Sequence, residues 1–398
     1  LIEKIQNALQ EAGLDGWLFY SFRGSDPIAA NILGFAEHGH MATRRWFYVV
    51  PAVGEPTKIV HSIERGVLDH LPGSKQIYLP WQQLHAILKD ALTALNHERM
   101  PRVAMQYSPD AAIPYLSRVD AGTIELIRSF GVEPVTSANL VQQFEAAWNS
   151  DQLAMHEEAA EGLYASVKEA FQEIGHRIRE SIQTTEYDIQ QFIMSRFAER
   201  NMITKDPPIV AVNANSAMPH YEPTEEHHAP INKGDFVLID LWAKLNKPGS
   251  VYADITWTGF VGAEIPEEVN KVFQIVRSGR DAAIEFVKEA FTEGREIYGW
   301  QVDDVCRKTI QETGYGDYFI HRTGHNIHTE VHGNGANIDN LETKDDRVLI
   351  PRTCFSIEPG VYLEGKFGIR SEIDMYVSEG EARVTGDNPQ TEVVAILA

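Results

Sequence analysis

Four stretches in the second half of the chain set acids or imidazoles against their surroundings, and chemistry is sought there first. In Phe236-Val-Leu-Ile-Asp240-Leu-Trp an acid follows a run of aliphatics, and in Tyr252-Ala-Asp254-Ile-Thr-Trp-Thr258 an acid sits in a β-rich run. His321-Arg-Thr-Gly-His325-Asn-Ile-His328-Thr-Glu-Val-His332 crowds four histidines into twelve residues. The stretch Phe355 to Val377 carries Glu358 and Glu372 in runs made apolar by Ile357, Val361, Ile369, Ile373, Tyr376 and Val377. Pro359-Gly360 and the segment from Gly365 to Gly368 punctuate those runs.

Taken singly, each feature has a plain explanation. An Asp at a strand end caps or turns, a Glu in an amphipathic strand faces water, and a histidine-rich loop is polar surface. Together they ask for something more, because ionised carboxylates beside buried-strand sequence are costly unless a positive group stands next to them. That group is an arginine or a metal. Two Asp, an imidazole and two Glu can neutralise one another only around cations. Carboxylate-rich sites with one imidazole favour Mn²⁺, Co²⁺ or Fe²⁺, with Zn²⁺ still compatible. Four carboxylates exceed what one catalytic cation needs and suit two, about 3.5–4 Å apart, sharing a bridging hydroxide that is nucleophilic at neutral pH.

The elements that must position these groups are legible along the chain. Its 398 residues suggest two domains. The first half alternates a helical spacing (Ile2 to Ala12, Trp81 to Leu95) with strand-like runs at Trp17–Tyr20, Arg45–Val50, Lys58–His61, Lys75–Leu79 and Arg102–Tyr107. That alternation predicts a smaller α/β domain over residues 1–148. Composition shifts between residues 145 and 152. Residues 149–398 then read as long helices from Asp151 to Ile182 and Tyr187 to Arg200, strands at Ile209–Val212, Asp235–Trp242 and Tyr252–Phe260, and helices from Pro266 to Phe291 and Val302 to Thr313. Strands around Glu358 and Glu372, and over Thr391–Leu397, close the chain. The overall class is α+β.

Fifty-seven acids against 35 bases give a formal charge of -22, which argues against a nucleic-acid partner and against an anionic membrane surface. The two cysteines, Cys306 and Cys354, form no Cys-x-x-Cys pair and fit a reducing compartment. No apolar run has the length of a membrane span and no signal peptide is visible, so a cytoplasmic location is expected.

Ile239-Asp240, Ala253-Asp254-Ile-Thr256, Thr323-Gly-His325, Ser356-Ile-Glu358-Pro-Gly and Arg370-Ser-Glu372, in that order, resemble the ligand segments of the pita-bread metallopeptidases. That family includes Xaa-Pro dipeptidase (prolidase), aminopeptidase P and methionine aminopeptidase. The resemblance covers roughly residues 150–398 and implies a C-terminal pita-bread domain. The preceding domain resembles the creatinase/prolidase-type N-terminal domain. By this resemblance Asp240 binds one metal, His325 and Glu358 bind the other, and Asp254 and Glu372 bridge both. Two divalent ions are implied, manganese foremost, with cobalt, zinc or iron as alternatives. Glu358 would also shuttle a proton, and His220 and His332 would hold the scissile carbonyl or its oxyanion. Arg370 and Thr256 would orient the ligands, Tyr221 would contact substrate, and Arg347, with Lys344 behind it, would grip a substrate carboxylate.

The implied activity is hydrolysis of Xaa-Pro dipeptides, or of the N-terminal Xaa-Pro bond of short peptides, by attack of the bridging hydroxide. The rivals are an amidinohydrolase or amide hydrolase of the creatinase-like branch and a non-catalytic peptide-binding relative; the full ligand set counts against both. A homodimer acting on short peptides, with no nucleic-acid or membrane partner, is implied as well. The chain also departs from the pattern. Fourteen positions separate Asp240 from Asp254, more than the family's usual gap, and the extra residues fall in a longer hairpin turn over Lys244–Ser250. Trp257 stands where many members have Arg, and Asp374 follows Glu372 by two positions rather than one. His38 and His40, beside Arg44 and Arg45, read as a surface loop, the alternative being a reach into a partner's site. His227 and His228 read as surface, and His321 and His328 as loop packing.

Overall fold

The computed structural model describes residues 1–35, 42–386 and 389–398. His38 and His40 lie outside the described residues. The described chain divides into two compact units, Leu1–Glu145 and Ala146–Ala398.

The first unit contains α1 (Ile2–Glu11), β1 (Gly16–Ser21), α2 (Pro27–Ile32), β2 (Trp46–Pro51), β3 (Thr57–His61), β4 (Ser74–Tyr78), α3 (Trp81–Thr93), β5 (Arg102–Met105), α4 (Ala121–Ser129), β6 (Glu133–Thr136) and α5 (Ala138–Glu145). Its six strands form one sheet in the order β4-β3-β2-β1-β5-β6. The central strand β1 is buried throughout, as its uninterrupted run Trp17-Leu-Phe-Tyr20 requires. Leu84, Leu88 and Leu92 recur every fourth residue of α3 and make the buried stripe that seats it. Two helices begin on an aspartate: Asp26 accepts from the N–H of Ala29, and Asp120 from that of Thr123.

The second unit begins with α6 (Ser150–Arg179) and α7 (Glu186–Glu199), both opened by capping boxes, Asn149 with Gln152 and Thr185 with Asp188. Then come β7 (Met202–Ile203), β8 (Ile209–Val212), β9 (Phe236–Leu245), β10 (Ala253–Phe260), α8 (Glu267–Thr292), α9 (Gly299–Gln311), β11 (Asn326–Ile327), β12 (Thr353–Ile357), β13 (Gly360–Leu363), β14 (Phe367–Arg370), β15 (Ile373–Ser378), β16 (Glu381–Val384) and β17 (Val394–Ala395). One sheet runs β17-β10-β9-β7, with β8 also on β9; a second runs β11-β12-β15-β16; β13 and β14 form a separate hairpin.

The period of two in β9 divides its side chains between two cores. Val237, Ile239, Leu241 and Ala243 pack with Leu163, Val167, Ile174 and Ile193 of α6 and α7. Phe236 and Leu238 belong to the core built with α8, α9 and the strands from β12 to β15. Asp240 and Trp242 fall on this second face by register. The antiparallel pairing of β9 with β10 sets Asp240 opposite Thr256 and Trp242 opposite Asp254, so both aspartates face the same side.

The lengthened turn leaves this register intact. Strand β9 continues through Lys244 and Leu245, which pair with β7, and Ala243 against Ala253 closes the β9–β10 ladder. The strand expected over Thr391–Leu397 shortens to Val394–Ala395, parallel to β10. No helix among the described residues is long and apolar enough to cross a membrane.

Candidate metal centre

A cavity of about 390 Å³ opens in the second unit. Asp240, Asp254, His325, Glu358 and Glu372 all line it, as do His220, His332 and Arg370. Strands β9 and β10 deliver the aspartates, β12 ends just before Glu358, and Glu372 lies between β14 and β15. One ligand atom each from Asp254, His325 and Glu372 lie within 4.8 Å of one another. His325 Nε2 is 3.6 Å from Asp254 Oδ2 and 3.4 Å from Glu358 Oε1.

The loop carrying His325 is clamped at both ends. Asp303 of α9 accepts from the Thr323 N–H at 3.0 Å and from its hydroxyl at 2.6 Å, and Arg307 forks onto the same carboxylate. On the far side Ser356 Oγ accepts from the His325 N–H at 3.0 Å and donates to Glu358 Oε1 at 3.2 Å. A side chain on Gly324 would run into the Ser356 carbonyl, so only glycine lets the loop approach β12 this closely. His325 Nδ1 lies 3.3 Å from the Asn326 carbonyl, which leaves Nε2 toward the carboxylates.

Arg370 organises the other side. Its Nη2 donates to Asp240 Oδ2, its Nε to Thr256 Oγ1 at 3.0 Å and its Nη1 to Tyr362 Oη at 3.1 Å. Thr256 passes the connection on, donating to Glu372 Oε2 at 2.6 Å. Because Tyr362 Oη accepts from Arg370, its own proton goes to His321 Nε2 at 2.7 Å, and His321 Nδ1–H then donates to the Arg322 carbonyl at 2.7 Å.

The charges in this wall do not balance. Burial, reinforced by Asp240 and Asp374, pushes the Asp254 carboxyl well above its ordinary range. Burial and then Asp254 do the same to Glu372. Glu358 rises to about 7 through burial, opposed by Arg370 and Arg322. His325 is driven well down by burial and by its neighbour His332, whose ring centroid is 4.3 Å away. Asp254 Oδ1 is buried without a hydrogen-bond partner. Carboxylates that shun ionisation, a neutral imidazole and an orphaned buried oxygen are what a cation site looks like before the cation is considered. The residues present therefore fit divalent metal.

The cavity does not collect every residue expected there. Tyr221 does not line it: this side chain is buried, and its hydroxyl donates to Glu186 Oε2 at 2.6 Å. Arg347 does not line it either. Its guanidinium forks onto the buried Asp345 two residues back and donates to the Asn334 carbonyl at 2.8 Å. Lys344 sits over the Trp300 ring. His227, His228 and His328 lie off the cavity wall, whereas His321 is on it.

Several contributors went unread in the sequence. Glu186, fully buried, accepts from the N–H groups of Val212 and Ala229, from Asn215 Nδ2 and from Tyr221 Oη, and so pins both ends of the segment that carries His220. His156 of α6, also fully buried, holds the Tyr252 carbonyl through Nδ1 and Thr385 Oγ1 through Nε2, each at 2.7 Å. Trp242, Arg322 and Glu342 line the cavity. Only Trp242 had a legible signal, its position two residues after Asp240 on one strand face.

Solved structures with this chain trace establish the fold. Dipeptidase PepE from Mycobacterium ulcerans superposes with a TM-score of 0.67 at 21% identity, over 99% of this chain and 96% of that one. The prolidase from Thermococcus sibiricus gives 0.60 at 22%, over 99% and 98%. The fold is thus the pita-bread fold with a preceding N-terminal domain. Residues 156–379 match the profile of metallopeptidase family M24, and the chain belongs to that family. Among curated relatives, the Xaa-Pro dipeptidase of Pyrococcus furiosus is 29% identical over 276 residues, 64% of this chain and 72% of that protein. The Xaa-Pro dipeptidase of Lactobacillus delbrueckii subsp. lactis is 33% identical over 171 residues, 43% of this chain and 42% of that protein. The chain aligns with less than half the length of this second relative. The family resemblance read from the five ligand segments is borne out.

Proposed function

We propose that this metallopeptidase is a dinuclear hydrolase of Xaa-Pro dipeptides or of the N-terminal Xaa-Pro bond in short peptides. The observation that carries the reading is the convergence of Asp240, Asp254, His325, Glu358 and Glu372 on one cavity whose acids outnumber its cations. Two relatives named Xaa-Pro dipeptidase support the substrate.

In this reading Asp240, Asp254, His325, Glu358 and Glu372 would hold two divalent ions, with Asp254 and Glu372 serving both, Asp240 serving one, and His325 and Glu358 the other. Bound divalent cations, manganese foremost, supply Lewis acidity and an activated water. The side chains do the rest. Arg370 and Thr256 fix the directions of Asp240 and Glu372. His220 and His332 offer N–H donors to the oxygen of the scissile carbonyl as it gains charge. Glu358 would accept a proton from the attacking water on its carboxylate oxygen and pass it to the departing nitrogen.

The proposal includes a cytoplasmic homodimer. Two buried, unpaired thiols, Cys306 and Cys354, support the compartment. The test is hydrolysis of Ala-Pro, Gly-Pro, an Xaa-Pro tripeptide and an Xaa-Ala control, with Mn²⁺, with Co²⁺ and after exhaustive chelation. Cleavage of the Xaa-Pro substrates that is lost on chelation and restored by Mn²⁺ is expected. Activity undiminished by chelation would refute the dinuclear mechanism, and metal-dependent enzyme inert to the whole panel would refute the substrate.

A further inference from the structure

Arg280 of α8 is buried and does not line the cavity. Its guanidinium is shared among three partners. Nε and Nη2 both donate to Asp281 Oδ1, at 3.0 and 2.7 Å. Nη1 donates to Ser371 Oγ at 2.6 Å and to the Gln390 carbonyl at 2.9 Å. A buried guanidinium is tolerated only where its charge and its donors are met, so these contacts fix where it sits. Ser371 and Gln390 are buried as well, and water does not compete for the bonds. Ser371 stands between Arg370, which holds Asp240, and Glu372, which lines the cavity.

The same arginine meets the edge of β10. Along that edge the Glu372 N–H donates to the Thr256 carbonyl at 3.3 Å, near the outer limit of a good hydrogen bond. Two residues on, the Gln390 side chain acts as a rung of the ladder: Oε1 accepts from the Thr258 N–H at 3.0 Å and Nε2 donates to the Thr258 carbonyl at 2.7 Å. Strand β17 then pairs with Gly259 and Phe260. Arg280 joins the first two of these attachments, taking Ser371 with one bond of Nη1 and Gln390 with the other. Building on the proposed metal centre, we infer that Arg280 is a positioning residue for it: through Ser371 it holds the main chain of Arg370 and Glu372 against β10 and so sets the Glu372 carboxylate beside that of Asp254. Arg277, one turn earlier on α8, supplies a control. It donates to Asp281 Oδ2 at 3.2 Å and to the Thr391 carbonyl at 3.0 Å, supporting the same C-terminal segment by a route that bypasses Ser371.

The experiment is calorimetric titration of the metal-free full chain with Mn²⁺, beside thermal unfolding, in Arg280→Gln, Ser371→Ala, the double variant and Arg277→Gln. Arg280→Gln and Ser371→Ala are each expected to lower Mn²⁺ affinity by about 10–100-fold, the usual effect of losing a partner behind a ligand. The double variant should lose no more than the weaker of the two single ones, because both break one connection. Arg277→Gln should lower the unfolding temperature and leave the affinity within about twofold, since its contacts do not pass through Ser371. Should Arg280→Gln fail to fold, Ser371→Ala, which removes a single hydroxyl, decides alone: unchanged Mn²⁺ affinity overturns the inference. Additive losses in the double variant, or an equal loss in Arg277→Gln, mark a general loosening of the fold and overturn it too. Each of those results leaves the metal-centre reading intact, whereas an unsubstituted chain that binds no Mn²⁺ overturns the reading and the inference together.

Discussion

The backbone N–H of Asp254 donates to Asp374 Oδ2 at 2.8 Å, so one buried carboxylate stands behind another. Asp374 in turn lies 3.9 Å from His156 Nε2, and its carbonyl accepts from the N–H of Thr385 at 3.0 Å. Asp374, two positions after Glu372, thereby fixes the strand that presents Asp254.

Removing that support is expected to weaken metal binding without removing a ligand. Asp374→Ala should lower Mn²⁺ affinity by roughly 10–100-fold, the usual effect of losing an outer partner. Asp374→Asn, which keeps an acceptor, should cost far less. Calorimetric titration of the metal-free chain measures both. Equal affinities in the two variants would contradict the role.

Ligand and donor should separate cleanly. Glu372→Ala is expected to lose bound metal and activity together, because in the proposed centre Glu372 serves both ions. His332→Ala is expected to keep its metal and lose about 10²–10³-fold in kcat, the loss typical of an oxyanion donor. Metal analysis beside turnover distinguishes the two. A full metal complement in Glu372→Ala would show that Glu372 does not bridge.

Burial holds His156 down to about 4, against 6.5 for an unperturbed imidazole. The folded state thus favours the neutral ring, and the unfolded chain takes up the proton first. The associated stability is complete above pH 6.5 and declines as pH falls from 6.5 toward 4, by a total on the order of 3 kcal/mol. Urea unfolding at pH 7 and pH 4.5 should show a shallower decline in His156→Asn than in the unsubstituted chain, other groups titrating alike in both. An identical decline would contradict the prediction.

Glu186 predicts a stability effect that reaches the site. Glu186→Ala strands the N–H groups of Val212 and Ala229, Asn215 Nδ2 and the buried Tyr221 hydroxyl, for a loss of about 3–5 kcal/mol. It should also raise KM by releasing the His220 segment. Denaturant titration beside steady-state kinetics checks both, and an unchanged midpoint would refute the first.

What was legible in the chain were groups whose local sequence betrays their burial. Asp240 follows Val-Leu-Ile, Glu358 and Glu372 sit among β-branched residues, and strand alternation alone assigns the two aspartates to one face. The loop groups were harder. Arg347 read as a substrate grip because an arginine in a polar loop has no sequence marker for its partner; Asp345 claims it through a fold-back that only the folded loop reveals. Tyr221 is turned away by Glu186, whose own burial is hidden in an ordinary helix start, Thr184-Thr185-Glu186. His156 belongs to a helix that reads as amphipathic, and nothing local marks it as the support for strands far along the chain.

The central claim is a pair of cations held by five side chains, and counting them tests it most directly. Anomalous scattering from crystals of the Mn²⁺-loaded protein, beside solution metal analysis, should find two ions per chain in the cavity, with Asp254 and Glu372 touching both. A single ion, or ions bound away from these residues in fully active protein, would contradict the account.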